Sequence, residues 1–435
     1  MDRVDVGLAG IGVLLLLLVL RVPIGVGLGI VAFFGVMIVT NLNVSFGLLS
    51  NIPYEFIGDW SLSAVPMFMF MGFLATEMKL TTKLFGAMRV LLAGLPGSLS
   101  VAAVSACALF AAASGSSVAT SASMSRIAVP EMLKRGYDPG LAAGSVASAG
   151  TLGSLIPPSI LMVIFGIFAE VSIGALFAAG VLPGILSAAM FCLMIMVRVK
   201  LNPALAPEMP DRPSTAERLL ALKEIWPLPI LVFGVLGGIY SGLFTPTEAG
   251  AVGSALTVLI ALSQGQFTLA GAWSAARQAV EGTASIFIIA VGAGLFARFM
   301  ALTGVPDHLA QVFLSEGASP LILILQFSLL FLILGCFIDS IGIMLLTLPI
   351  VLPLLREANV DLIWFGVLVI KLLEVGLVTP PVGLNVFVMK SSLGNLVTLS
   401  QVFRGVFWFI AIDLVTLGVL IAFPEISTWL PSMML

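Results

Sequence analysis

The sequence predicts an all-α polytopic membrane protein built on an internal repeat, with two re-entrant helical hairpins and two broken helices. Three observations carry that expectation: an apolar composition, charge-free intervals of membrane-spanning length, and a Gly-x-x-x-Pro-Pro motif present twice. Of 435 residues, 60% are apolar and 9% charged, where about a quarter charged is ordinary for a soluble protein. Mean hydropathy is +1.19. Disorder is excluded as well, because disordered chains lack the apolar surface this one has in surplus.

A hydrocarbon core ~30 Å thick takes ~20 helical residues to cross. Residues 22–54, 139–169, 171–197, 225–247, 249–276 and 317–338 contain no Asp, Glu, Lys or Arg, and shorter apolar runs lie between them. About ten to fourteen membrane segments are expected on that criterion. The first, Met1 to Arg21, has no small-residue cleavage site behind it and reads as a retained helix rather than a signal peptide.

Between Val90 and Ser125 the apolar stretch would form a single helix about 54 Å long, too long for any bilayer. It must turn, and Ser114-Gly115-Ser116-Ser117 in its middle supplies small capping residues. A re-entrant hairpin fits; two ordinary spans joined by a surface turn is the alternative. Residues 198–224 differ in kind, gathering Arg198, Lys200, Glu208, Asp211, Arg212, Glu217, Arg218, Lys223, Glu224 and four prolines. This is an extramembrane connector, placed on the cytoplasmic side by its five basic residues.

A shift of 223 residues lays Ser116-Ser117 on Asp339-Ser340, Asp138 on Asp361, and Gly153-Ser154-Leu155-Ile156-Pro157-Pro158 on Gly376-Leu377-Val378-Thr379-Pro380-Pro381. Such duplication is a common architecture of secondary transporters, with cargo and ions held at the repeat interface. Proline lacks an amide hydrogen and clashes one turn back, so each double proline should stop a helix and start another. Carbonyls of Gly153 to Ile156 and of Gly376 to Thr379 are then expected to lack helical donors, and a hard cation would satisfy them. The Ser114 and Thr379 hydroxyls add oxygen ligands, and helices starting at Pro157 and Pro380 would present positive dipole ends to an anion. The plainer alternative is a pair of packing kinks.

Charged groups at membrane depth cost ~2.5 kcal/mol or more. Lys371 and Glu374, three apart on one helix face, are expected to pair with each other. Asp339 sits where it could cap a returning helix or join a binding site. Arg298 could clamp a carboxylate or snorkel from a span end, and Glu248 favours a helix start. His308 is the single histidine and reads as a surface residue. Cys107, Cys192 and Cys336 read as small apolar residues rather than a disulfide framework. A net charge of −3 gives nucleic acid no footprint. The absence of any Gly-Lys dipeptide leaves the chain without a phosphate-binding loop, and one histidine with no clustered acids argues against a membrane-embedded enzyme.

The stretches Ser114–Ser117, Arg126–Met132, Lys134–Pro139, Gly150–Gly153, Phe244–Ala249 and Thr379–Phe387 together resemble the large membrane subunit of tripartite ATP-independent periplasmic (TRAP) transporters. The likeness runs over essentially the whole chain, with the motifs in the family's order. It implies an inverted-repeat, elevator-type importer in the bacterial inner membrane, driven by two or more sodium ions. The implied partners are a small membrane subunit, encoded separately, a periplasmic binding protein, and a carboxylate-bearing solute of the organic-acid or sialic-acid class. A permease working without a binding protein is the alternative. The resemblance maps one sodium site onto Ser114, Gly153, Ile156 and Pro158, and by pseudo-symmetry a second onto Gly335, Gly376, Thr379 and Pro381. Substrate is expected between the tips, near Ser116, Ser117, Asp339, Ser340 and Asn385, with Arg298 as a further candidate. The expected division is scaffold 1–89, first transport repeat 90–197, connector 198–224, scaffold arm 225–279, second repeat 280–400 and a closing helix 401–435.

Overall fold

In a computed structural model, residues 2–207, 213–315 and 319–434 are described, and among them every regular element is helical. Glu208, Asp211 and Arg212 of the connector lie outside the described residues. Among the described residues, five helices are long and apolar enough to cross a membrane, and up to eight spans result if each bent helix pair counts as one. That is fewer than the sequence intervals suggested. Hairpin arms and half-helices, such as Ser98–Ser114 and Pro320–Gly335, are apolar but too short to span alone.

The first hairpin consists of Ser98–Ser114 and Ser117–Lys134, and the second of Pro320–Gly335 and Ser340–Glu357. Each is followed by a broken helix: Pro139–Gly150 with Leu152–Leu155 and then Ile160–Ala169, and Leu362–Gly376 and then Leu384–Leu393. The repeat extends to the caps. Asp138 accepts a hydrogen bond from the Leu141 amide at 2.8 Å, and Asp361 accepts from the Ile363 and Trp364 amides at 2.8 and 2.9 Å. These carboxylates satisfy amides that the first helical turn leaves without partners. The same register holds at the tips, where Ser116 and Asp339 are the N-caps of the returning arms.

Helices Ile24–Val39, Ala64–Glu77, Pro246–Ser263 and Leu269–Thr303 pack on one another beside the repeats. Leu269–Thr303 is one unbroken helix through positions 279 and 280. Thr245 and Glu248 form a capping box at the start of Pro246–Ser263. The two halves interlock. The closing helix Leu399–Ala422 crosses the first broken helix at backbone contact, and a Cβ on Gly405 would sit 1.8 Å from the Gly140 carbonyl oxygen, while one on Gly144 would sit 2.5 Å from the Gly405 carbonyl carbon. Small residues four apart permit this approach, as is usual between helices in lipid.

Candidate functional site

Both hairpin tips end in a tie to the helix break beneath them. At the first, Gly115 turns through φ +59°, and its carbonyl accepts from the Ile160 amide at 3.3 Å. At the second, the Cys336 carbonyl accepts from the Val382 amide, also at 3.3 Å. Two nearly equivalent residues of the repeat therefore make the same bond. Each break also presses a glycine against its own tip: a Cβ on Gly153 would lie 2.6 Å from the Ser116 carbonyl oxygen, and one on Gly376 would lie 2.5 Å from the Gly335 Cα.

The helices do stop at the double prolines, but the new ones begin later than expected. They start at Ile160 and Leu384 rather than at Pro157 and Pro380. Ser159 caps the first through the Met162 amide, and Gly383, at φ +59°, opens the second. A capping hydroxyl or a left-handed glycine turns the chain into the helix, whereas the prolines stand in the extended segment before it. Gly153 and Ser154 face Pro157 and Pro158 at the i+4 positions, which carry no amide hydrogen. The second break differs: the Gly376 carbonyl accepts from the Thr379 amide and the Leu377 carbonyl from the Asn385 amide, each at 3.0 Å. For those two residues the expectation of free carbonyls is corrected, because the chain folds back on itself. Pro157–Ser159 are buried, and Pro380–Val382 are exposed.

Among the first set of cation candidates, Ser114, Gly153 and Pro158 meet at the first tip, where the Ser114 hydroxyl lies 2.7 Å from Thr120 Oγ1. Ile156 stands at the break with its side chain against Gly184. In the second set, Gly335 and Gly376 touch through their backbones, Thr379 donates its hydroxyl to the Val375 carbonyl at 2.6 Å, and Pro381 precedes the Val382 tie.

A cavity of about 230 Å³ lies between the two tips, with Ser116, Ser117, Asp339 and Ser340 on its wall together with Ser154 and Glu374. Four of the six substrate candidates thus meet in one place. Asp339 also caps its helix, accepting from the Gly342 amide at 2.9 Å. Asn385 is fully buried with both amide atoms unpartnered and does not reach the cavity wall. Arg298 is exposed on Leu269–Thr303 and is not brought to the cavity. His308 is exposed, and the three cysteines are free.

The expected Lys371–Glu374 pair does not form. Lys371 pairs instead with Asp413 of the closing helix, and Glu374 accepts from the Ser117 hydroxyl, which is 2.6 Å from Ser154 Oγ. Spacing along one helix showed that the two charges could meet, but the partners come from elements 42 and 257 residues away. Ser154 and Glu374 were missed as cavity residues; the signal for Ser154 was its place inside the first Gly-x-x-x-Pro-Pro motif.

The family model described as the tripartite ATP-independent periplasmic transporter, DctM component, matches residues 11–426. The chain belongs to that family. As a TRAP large permease it is similar to the C4-dicarboxylate TRAP transporter large permease protein DctM of Pseudomonas aeruginosa, 37% identical over 383 residues, covering 87% of this chain and 88% of that one. It is similar also to the sialic acid TRAP transporter large permease protein SiaM of Vibrio cholerae, 32% identical over 380 residues with the same coverage. These relatives are transport proteins, not enzymes. The permease fold resembles the YdaH transporter of Alcanivorax borkumensis, with TM-score 0.63, 13% identity, and 88% and 89% of the two chains covered. The Neisseria gonorrhoeae MtrF structure gives TM-score 0.60 at 13% identity, covering 89% of this chain and 85% of that one. At such identity the likeness concerns the fold alone.

Proposed function

We propose that this TRAP large permease is a sodium-coupled importer of a small carboxylate-bearing solute, working in the bacterial inner membrane with a small membrane subunit and a periplasmic binding protein. The observation that carries the reading is the cavity between two hairpin tips, each tied to a helix break, in a chain of this family. Solute would occupy that cavity, with hydroxyls of Ser116 and Ser340 offering hydrogen bonds. Sodium ions would bind at the two tip-and-break junctions, around Ser114 with Gly153 and around Gly335 with Gly376 and Thr379. At the first junction the Gly153 and Ser154 backbone oxygens, which face prolines, suit a hard cation, as in other transporters with discontinuous helices. An elevator motion would carry both tips past the scaffold helices as one body.

Named relatives handle C4-dicarboxylates and sialic acid, so these are the first solutes to test. The experiment is uptake into proteoliposomes containing both membrane subunits, with and without an inward sodium gradient and with and without the binding protein. Ser114→Ala and Thr379→Ala should raise the sodium concentration for half-maximal uptake several-fold. Uptake indifferent to sodium in the unmodified protein would end this reading.

A further inference from the structure

The inter-tip cavity has two acidic walls, Asp339 and Glu374, and no Lys, Arg or His joins them there among the described residues. Asp339 is satisfied by its capping bond. Glu374 is not: it is 1% exposed, one carboxylate oxygen takes the Ser117 hydroxyl, and the other, Oε1, has no partner. The cation one turn earlier on its helix, Lys371, is committed to Asp413. When both are ionised, the buried carboxylates of Glu374 and Asp413 outnumber the one buried ammonium of Lys371 and leave a single net negative charge in the cluster. A buried charge without compensation costs several kcal/mol. The neighbouring groups that could coordinate are oxygens, the Ser117 and Ser154 hydroxyls, 2.6 Å apart. Hydroxyl and carboxylate oxygens are ligands for hard cations.

We propose that Glu374, with the Ser117 and Ser154 hydroxyls, binds a monovalent cation where the first hairpin, the first broken helix and the second broken helix meet. The site is separate from the Ser114 and Thr379 junctions. It rests on the reading of the chain as a cation-driven permease and adds an ion that neutralises the Glu374 carboxylate. Without that ion the carboxylate repels an anionic solute; with it, that repulsion is removed, so cation and solute each raise the other's affinity. The ion also bridges the two repeats, since Ser117 and Ser154 belong to one and Glu374 to the other.

The test needs no solute. Thermal stability of the full-length chain, purified in detergent, is titrated with sodium chloride exchanged for choline chloride at constant ionic strength. A ligand bound only by the folded state stabilises in proportion to the logarithm of its concentration, and the limiting slope counts the ions bound. Glu374→Gln should lower that slope by about one ion, and Ser154→Ala, which keeps the carboxylate, should raise the midpoint of the sodium response about fivefold or more. Ser154→Ala also serves where Glu374→Gln fails to fold. If the unmodified chain responds to sodium and the variants respond identically, this site is overturned while the junction sites stand. If the unmodified chain does not respond at all, the sodium-driven reading falls and the inference falls with it.

Discussion

Gly153 and Gly376 show what single residues contribute. Each brings an unwound segment against its hairpin tip at a distance that a methyl group would fill. Gly153→Ala and Gly376→Ala should each destabilise the protein by about 1–3 kcal/mol, the usual cost of overpacking, and should impair uptake. Gly47→Ala is the control, because nothing lies within 4 Å of a Cβ there; in mid-helix it should be neutral or stabilise by up to ~1 kcal/mol. Equal melting shifts in all three would sink the argument. Lys371 and Asp413 give a second residue-scale expectation. Removing either partner should cost about 3–5 kcal/mol, whereas Lys371→Met combined with Asp413→Leu should restore much of it. A double variant as unstable as the sum of the singles would show that the ion pair is not the relevant interaction. The sequence placed both charges at membrane depth but assigned Lys371 the wrong partner, because a local spacing rule sees one helix and the chosen acid arrives on another.

At the scale of elements, the breaks were legible because proline chemistry is local: no amide hydrogen, hence no helix bond four residues back. The starts of the following helices were not, since Ser159 and Gly383 were outweighed in the reading by the prolines beside them. The caps at Asp138 and Asp361 repeat across the halves. Asp138→Ala and Asp361→Ala should each lower stability by about 1 kcal/mol, within the range for lost N-caps, readable as two separate and nearly additive melting shifts. A null shift at either position would mean that packing, not capping, fixes that helix end. The first hairpin was legible from length and small residues, and the second from its place in the repeat. What sequence could not supply was the tie from tip to break, because it joins residues separated by 45 positions in one half and 46 in the other, as Gly115–Ile160 and Cys336–Val382.

For the whole molecule, the cavity belongs mostly to the repeats but is closed on one side by Met69 and Ile286, from helices Ala64–Glu77 and Leu269–Thr303. A bulky residue there should obstruct cargo without touching the tips. Ile286→Trp is expected to cut uptake about tenfold or more, equivalent to ~1.4 kcal/mol, with the melting temperature nearly unchanged; undiminished uptake would mean that solute does not use this cavity. Composition announced the membrane, and the duplicated motif announced two similar halves. How those halves hold one another was hidden, because Gly140, Gly144 and Gly405 carry no signal beyond being small. Their crossing has a consequence for assembly. A protease cut within the charged connector, or synthesis from two separate messages, should still yield one particle that co-purifies, since the grip between the pieces is made by backbone against backbone and owes nothing to the peptide link.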